Sequence, residues 1–119
     1  MEKIVRQSML YDFYGELLTE HQKTIYGEYV NNDLSYSEIA DLYHITRQGV
    51  YDVVKRSDII LEDYEIKLHL VAKFQNARDE FKHIKDIANE LKDKNKDSQD
   101  LCTGLNRIIS ISDSILEEF

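Results

Sequence analysis

Arg47, Gln48, Tyr51, Lys55 and Arg56 are the residues of this 119-residue chain whose types and spacing define a chemistry. On a helix they point away from the side that carries Val50, Val53 and Val54. A guanidinium bonds guanine through two donors, a glutamine amide bonds adenine in the same manner, and further cations reach phosphates. That chemistry is recognition of a polyanion, with no covalent step. The competing reading is a solvated helix face in a degenerate motif that serves another purpose.

The elements that would position these side chains lie between Leu34 and Arg56, in LSYSEIADLYHITRQGVYDVVKR. Ser35 followed by Glu38 is a capping box that starts a helix. Ile39, Ala40 and Leu42 supply its buried side. Tyr43-His44-Ile45 makes a turn, with His44 where glycine is common; His is among the residues enriched in left-handed backbone. Thr46 caps the next helix. Helix, tight turn and second helix make a helix-turn-helix, whose second helix commonly enters the major groove. Gly49 reads as a small residue that lets the paired helices approach.

Two helices precede the motif. The first is expected from about Ile4 to Leu17, with Ile4, Met9, Tyr11, Phe13, Tyr14, Leu17 and Leu18 forming its inward face. The second runs from Glu20 to about Val30, capped by Thr19, with Ile25, Tyr26, Tyr29 and Val30 inward. Asn31-Asn32-Asp33 is a turn cluster. Residues 1–60 are read as the helix-turn-helix domain, and residues 61–119 as a long helix and a C-terminal helix. The long helix is expected from about Glu62 to Asp93. Tyr64, Leu68 and Val71 lead into a stripe of Phe74, Ala77, Phe81, Ile84, Ala88 and Leu91. The polar run KDKNKDSQD is a loop, with Ser98 or Asp100 capping the last helix. Leu101, Leu105, Ile108, Ser112, Ile115 and Phe119 form a second stripe, so the two helices should fold back as an antiparallel hairpin. Phe74, Phe81, Ile84, Leu101, Leu105, Ile108 and Ile115 are the expected dimer or partner interface. Ile109, Ile111 and Leu116 lie beside the stripe and fit either packing on the N-terminal domain or pairing with a second copy. The expected class is therefore all-α.

Charge argues against the simplest nucleic-acid reading. The net charge is −8, and the halves share it: residues 1–60 hold six Lys/Arg against ten Asp/Glu, and residues 61–119 nine against thirteen. Stand-alone DNA readers are usually basic, because neutralised phosphates supply much of their affinity. Only Arg47, Lys55 and Arg56 make a local basic patch, and Asp52 shares their helix. Binding should be weak or need a dimer or partner.

Other chemistries find no support. His21, His44, His69 and His83 lack metal-ligand spacing, although Asp79 and Asp86 flank His83. The acidic cluster Glu62, Asp63 and Glu65 fits a helix start. There is no glycine-rich phosphate loop and no nucleophile set, so neither an enzyme nor a cofactor is expected. Most of the eight tyrosines, among them Tyr11, Tyr14, Tyr26, Tyr29, Tyr43 and Tyr64, fall on apolar faces and suit core packing; Tyr51 is placed where it could instead stack on a base. Cys102 is the single cysteine, no apolar run is long enough for a membrane span, and the N-terminus lacks a signal-peptide core. A cytoplasmic protein is expected.

The phrases LTEHQKTIYGEYV, LSYSEIA and ITRQGVYDVVKR resemble the fourth region of bacterial sigma factors over about 40 residues. That likeness implies a helix-turn-helix that docks on duplex DNA; the polymerase-binding and promoter-melting regions have no counterpart. A closer resemblance covers nearly the whole chain. LYDFYGELLTEHQ, YSEIADLYHITRQGVYDVVKR and LEDYEIKLHL are similar to the YlxM-like family of small bacterial proteins, with the match least firm from Asn76 onward. The resemblance implies a DNA-binding regulator in the signal recognition particle pathway, because the family's genes lie beside those for the particle's GTPase and its receptor. Expected partners are DNA or the particle's RNA, that GTPase or its receptor, and a second copy of the chain. The alternative is a protein-binding adaptor of the same pathway in which the motif is only scaffold.

Overall fold

Nothing between Thr46 and Leu68 can stop a helix. In the computed structural model, which describes residues 1–118, a single helix of 22 residues fills that stretch. The helices are α1 (Lys3–Tyr14), α2 (Glu20–Asn31), α3 (Tyr36–Tyr43), α4 (Arg47–Leu68), α5 (Leu70–Lys94) and α6 (Gln99–Glu118), with a tight 3-10 turn, Gly15–Leu17, after α1. Strands are absent among the described residues, so the chain is all-α as expected. Phe119, placed at the end of the C-terminal stripe, lies outside the described residues.

The expected break between Ile60 and Glu62 falls inside α4, and the chain breaks at His69 instead. His69 takes left-handed backbone, φ 58° and ψ 26°, and its N–H bonds the Glu65 carbonyl. The next two amides are satisfied from a distance. Leu70 N–H donates to Tyr14 Oη at 3.1 Å, and Val71 N–H donates to Glu65 Oε1 at 3.0 Å. Tertiary partners thus supply the stop signal that the local sequence lacks.

Met1–Val71 form one compact unit and Ala72–Phe119 a second. In the first, α4 is the axis against which α1, α2 and α3 all pack. Leu10, Tyr14, Leu18, Ile25, Tyr26, Ile39, Ala40, Val50, Val54, Leu61 and Val71 make one continuous core. Two expected faces differ in detail. The inward line of α1 is Gln7, Leu10 and Tyr14, spaced three and four apart, while Ile4, Phe13 and Leu17 are partly exposed. Leu42 is 56 % exposed, because the side of α3 that meets the core carries Tyr36, Ile39, Ala40 and Tyr43.

A polar stripe on α4 ties the unit together. Asp58, Glu62 and Glu65, four and three residues apart, share one face. Asp58 accepts from Tyr26 Oη at 2.6 Å and Gln7 Nε2 at 2.9 Å. Glu62 receives a two-pronged pair from Arg6, both bonds 2.7 Å, and Glu65 accepts from Tyr14 Oη at 2.6 Å. Gln7 is buried because Asp58 and the Tyr29 hydroxyl, 3.2 Å from its Oε1, satisfy it. Burial and the bond to Asp58 push the Tyr26 phenol well above its ordinary pKa, so it stays a donor. The Ser57 hydroxyl, fully buried beside this stripe, has no hydrogen-bond partner among the described residues.

The second unit turns at Asn95. Its side chain donates to the Leu91 carbonyl at 2.8 Å, and its own carbonyl accepts from Ser98 N–H at 3.1 Å and Cys102 Sγ at 3.3 Å. Lys85 Nζ lies 2.7 Å from Asp113 Oδ1, which sets α5 and α6 antiparallel.

Candidate nucleic-acid interface

The motif is assembled by local bonds. Ser35 Oγ accepts from Glu38 N–H and Glu38 Oε1 accepts from Ser35 N–H, both at 3.1 Å, so both halves of the box form. His44 closes α3 in left-handed backbone, φ 57° and ψ 41°, and Ile45 N–H bonds the Ala40 carbonyl at 3.1 Å. Thr46 Oγ1 then accepts from Gly49 N–H at 2.9 Å and starts α4. The expected role of Gly49 in helix approach is not what the geometry shows: the atom a Cβ there would press is the cap itself, Thr46 Oγ1 at 3.1 Å. Gly49 makes room for its own cap.

With Val50 and Val54 fully buried, the helical period turns Arg47, Gln48, Tyr51 and Arg56 to solvent and leaves Lys55 half-buried. The Arg47 and Arg56 guanidiniums meet no partner among the described residues. Gln48 Nε2 donates to Asp52 Oδ1 at 3.0 Å, which fixes the amide and leaves its oxygen free to accept. Lys55 Nζ sits 5.4 Å from the Tyr51 ring centroid, within cation–π range.

Spacing assigned no role to Tyr36, yet the fold brings it to this face. Its ring meets Tyr51 edge to face, with centroids 6.0 Å apart and planes at 76°. Together Tyr36, Arg47, Gln48 and Tyr51 line an open groove of about 540 Å³. Behind them the ring contacts continue through Tyr29 and Tyr26 to Tyr11, each centroid 5.5–6.1 Å from the next. Burial raises the Tyr36 phenol above its ordinary pKa and keeps it neutral. The signal available in sequence was that position 36 opens the helix that packs on α4, which is no guide to which ring it would meet.

The residues read as a dimer or partner interface lie elsewhere, on α5 and α6. Leu105 is 5 % exposed, Phe74, Phe81 and Ile115 are half-buried, and Ile84, Leu101 and Ile108 are each 42 % exposed. No described helix is long and apolar enough to cross a membrane.

Capped α3, the left-handed His44 turn and α4 with its polar outer face define a helix-turn-helix protein. The chain belongs to the UPF0122 family, described as "Putative helix-turn-helix protein, YlxM / p13 like", whose pattern matches residues 1–101. That description is of a helix-turn-helix family, not of an enzyme family. The chain is 43 % identical over 94 residues to the UPF0122 protein YlxM of Bacillus subtilis, covering 79 % of this chain and 86 % of the relative. A UPF0122 protein of Clostridium kluyveri is 44 % identical over 101 residues, covering 84 % and 91 %. One from Bacillus licheniformis is 41 % identical over 108 residues, covering 91 % and 97 %.

Proposed function

We propose that this chain is a regulatory protein that binds nucleic acid, DNA or the particle's RNA, through the outer face of α4, and that it acts in the signal recognition particle pathway in the cytoplasm. The observation that carries the reading is the pair of unpartnered guanidiniums, Arg47 and Arg56, with Lys55 between them around the outer half of a helix whose inner side is locked into the core. Arg47, Gln48 and Tyr51 approach the bases, and Lys55 and Arg56 the phosphates. The pathway rests on the resemblance to the YlxM-like family and its gene neighbourhood.

The test is fluorescence anisotropy of labelled DNA and of the particle's RNA at low and near-physiological salt. Replacing Arg47, Lys55 and Arg56 by Ala should remove binding and its salt dependence, each phosphate contact being worth about 0.9 in the slope on duplex DNA. Unchanged affinity in that triple variant rejects the reading.

A net charge of −8, and Asp52 on the same face, favour a second reading in which the protein is an adaptor that meets a basic protein partner, such as the particle's GTPase or its receptor. Recovery of either one from nuclease-treated extract would support it. In both readings the α5–α6 hairpin pairs with a second copy, because Ile84, Leu101 and Ile108 stay partly exposed along its stripe.

A further inference from the structure

We infer that the groove between Tyr36, Arg47, Gln48 and Tyr51 takes a single unpaired nucleobase, so that the preferred ligand is a looped, bulged or single-stranded segment and not an uninterrupted duplex. The inference rests on the nucleic-acid reading above and names its ligand class.

The lining of the groove suits a base. Two aromatic rings, a guanidinium and an amide surround one concavity of about 540 Å³, a size in the range of small-molecule sites. A duplex offers base edges, since each base face is covered by its neighbours. A ring can be used for stacking only when the base has left the stack.

The rings are also held in place. Tyr51 is 43 % exposed and is braced, with Tyr36 against it and the Lys55 ammonium 5.4 Å from its centroid. A braced ring gives up little conformational freedom on stacking. Beside it, Arg47 offers donors and the Gln48 oxygen an acceptor, since the Gln48 amide nitrogen is already turned to Asp52. Those groups match the mixed edge of a base.

Charge points the same way. Three cations on a chain of net charge −8 release few counterions, whereas a stacked base adds affinity that does not depend on phosphate neutralisation.

The experiment titrates the whole protein against three labelled probes of matched length: a fully paired DNA duplex, a DNA hairpin with an unpaired loop, and an RNA hairpin with the same loop. The parent is compared with Tyr51→Ala and Tyr51→Phe, both at an exposed position and checked for unchanged helicity. Hairpins should bind about ten-fold more tightly than the duplex. Tyr51→Ala should lose about ten-fold on hairpins and little on the duplex, and Tyr51→Phe should keep the hairpin affinity. Equal gain on both hairpins assigns the base alone as ligand; gain on the RNA hairpin alone adds the ribose hydroxyl, and both results support the inference. A duplex that binds as tightly as the hairpins, or Tyr51→Ala losses equal on all probes, overturns it while leaving nucleic-acid binding intact. No binding of any probe at low salt overturns the parent reading and the inference with it.

Discussion

Tyr14 Oη donates to Glu65 Oε1 at 2.6 Å and accepts from Leu70 N–H at 3.1 Å, so one hydroxyl on α1 joins the last turn of α4 to the first turn of α5. Glu65 completes the junction by accepting Val71 N–H at 3.0 Å. Burial and the bond to Glu65 raise the Tyr14 phenol above its ordinary pKa, which keeps the donor in place.

Tyr14→Phe removes that hydroxyl with almost no change in shape. It leaves the Leu70 amide without its acceptor and takes one of the bonds from the buried Glu65 carboxylate, at a cost of about 1–3 kcal/mol. The urea midpoint should fall while the slope of the transition stays constant. A midpoint equal to the parent's would mean that water replaces the hydroxyl and that the junction does not depend on it.

This junction also marks where sequence reading ends. The starts of α2, α3 and α4 were legible because Thr19, Ser35 and Thr46 each act on an amide three residues away. His44 was legible as a turn because it falls between the helix that Ser35 starts and the one that Thr46 caps, at a position where glycine is common. The His69 break was not, because its determinants, Tyr14 and Glu65, lie 51 residues apart in sequence and meet only in the fold. Gln7 was missed as an inward residue for the same reason, its partner Asp58 lying on another helix. At the candidate interface, the period of α4 alone identified Arg47, Gln48, Tyr51, Lys55 and Arg56 as outward or half-outward. The pairing of Tyr36 with Tyr51 required the angle between α3 and α4, which no local pattern encodes.

His44 carries backbone strain that a simple substitution can release. A left-handed L-residue costs about 1–2 kcal/mol, and glycine gives back about 0.5–1 kcal/mol of that through its freer unfolded chain. His44→Gly should therefore raise the melting temperature slightly. His44→Val, with a β-branched side chain at φ 57°, should lower it by several degrees. Thermal unfolding followed by circular dichroism separates the three proteins; identical melting curves would show that the turn stores no strain.

The Arg6–Glu62 pair predicts an acid limb. The hydrogen bond from Arg6, more than its charge, holds the Glu62 carboxyl below its ordinary value of 4.5, against a smaller opposing effect of burial. A carboxyl whose folded pKa lies below its unfolded one contributes stability that is complete above the unfolded value and fades as pH falls through the folded one. Both side chains are about 40 % exposed, so screening limits the contribution to about 1 kcal/mol or less. Urea midpoints of the parent and Glu62→Gln should differ at neutral pH and converge below about pH 4.5. A gap that persists at about pH 3 would assign the difference to packing instead of charge.

The hairpin stripe predicts self-association. Ile84 and Ile108 are each 42 % exposed, so Glu at both positions should leave the fold intact while placing charge in the proposed interface. Sedimentation equilibrium should find the parent a dimer and Ile84→Glu/Ile108→Glu a monomer. A monomeric parent would end the dimer proposal and leave the stripe to another partner.

Thr46 and Gly49 should be coupled. Thr46→Ala removes the cap that starts α4 and costs about 1 kcal/mol. Gly49→Ala gains about 1 kcal/mol of helix propensity, but its new Cβ would stand 3.1 Å from Thr46 Oγ1, so the cap must shift for the methyl to fit. The gain should be blunted while Thr46 is present and recovered in full once Thr46 is Ala. A double-mutant cycle in urea measures this as a favourable interaction between the two changes, and simple additivity would show that the cap moves aside freely. The same cap fixes the first turn of α4, where Arg47 and Gln48 sit, so Thr46→Ala should also weaken nucleic-acid binding by more than Gly49→Ala does.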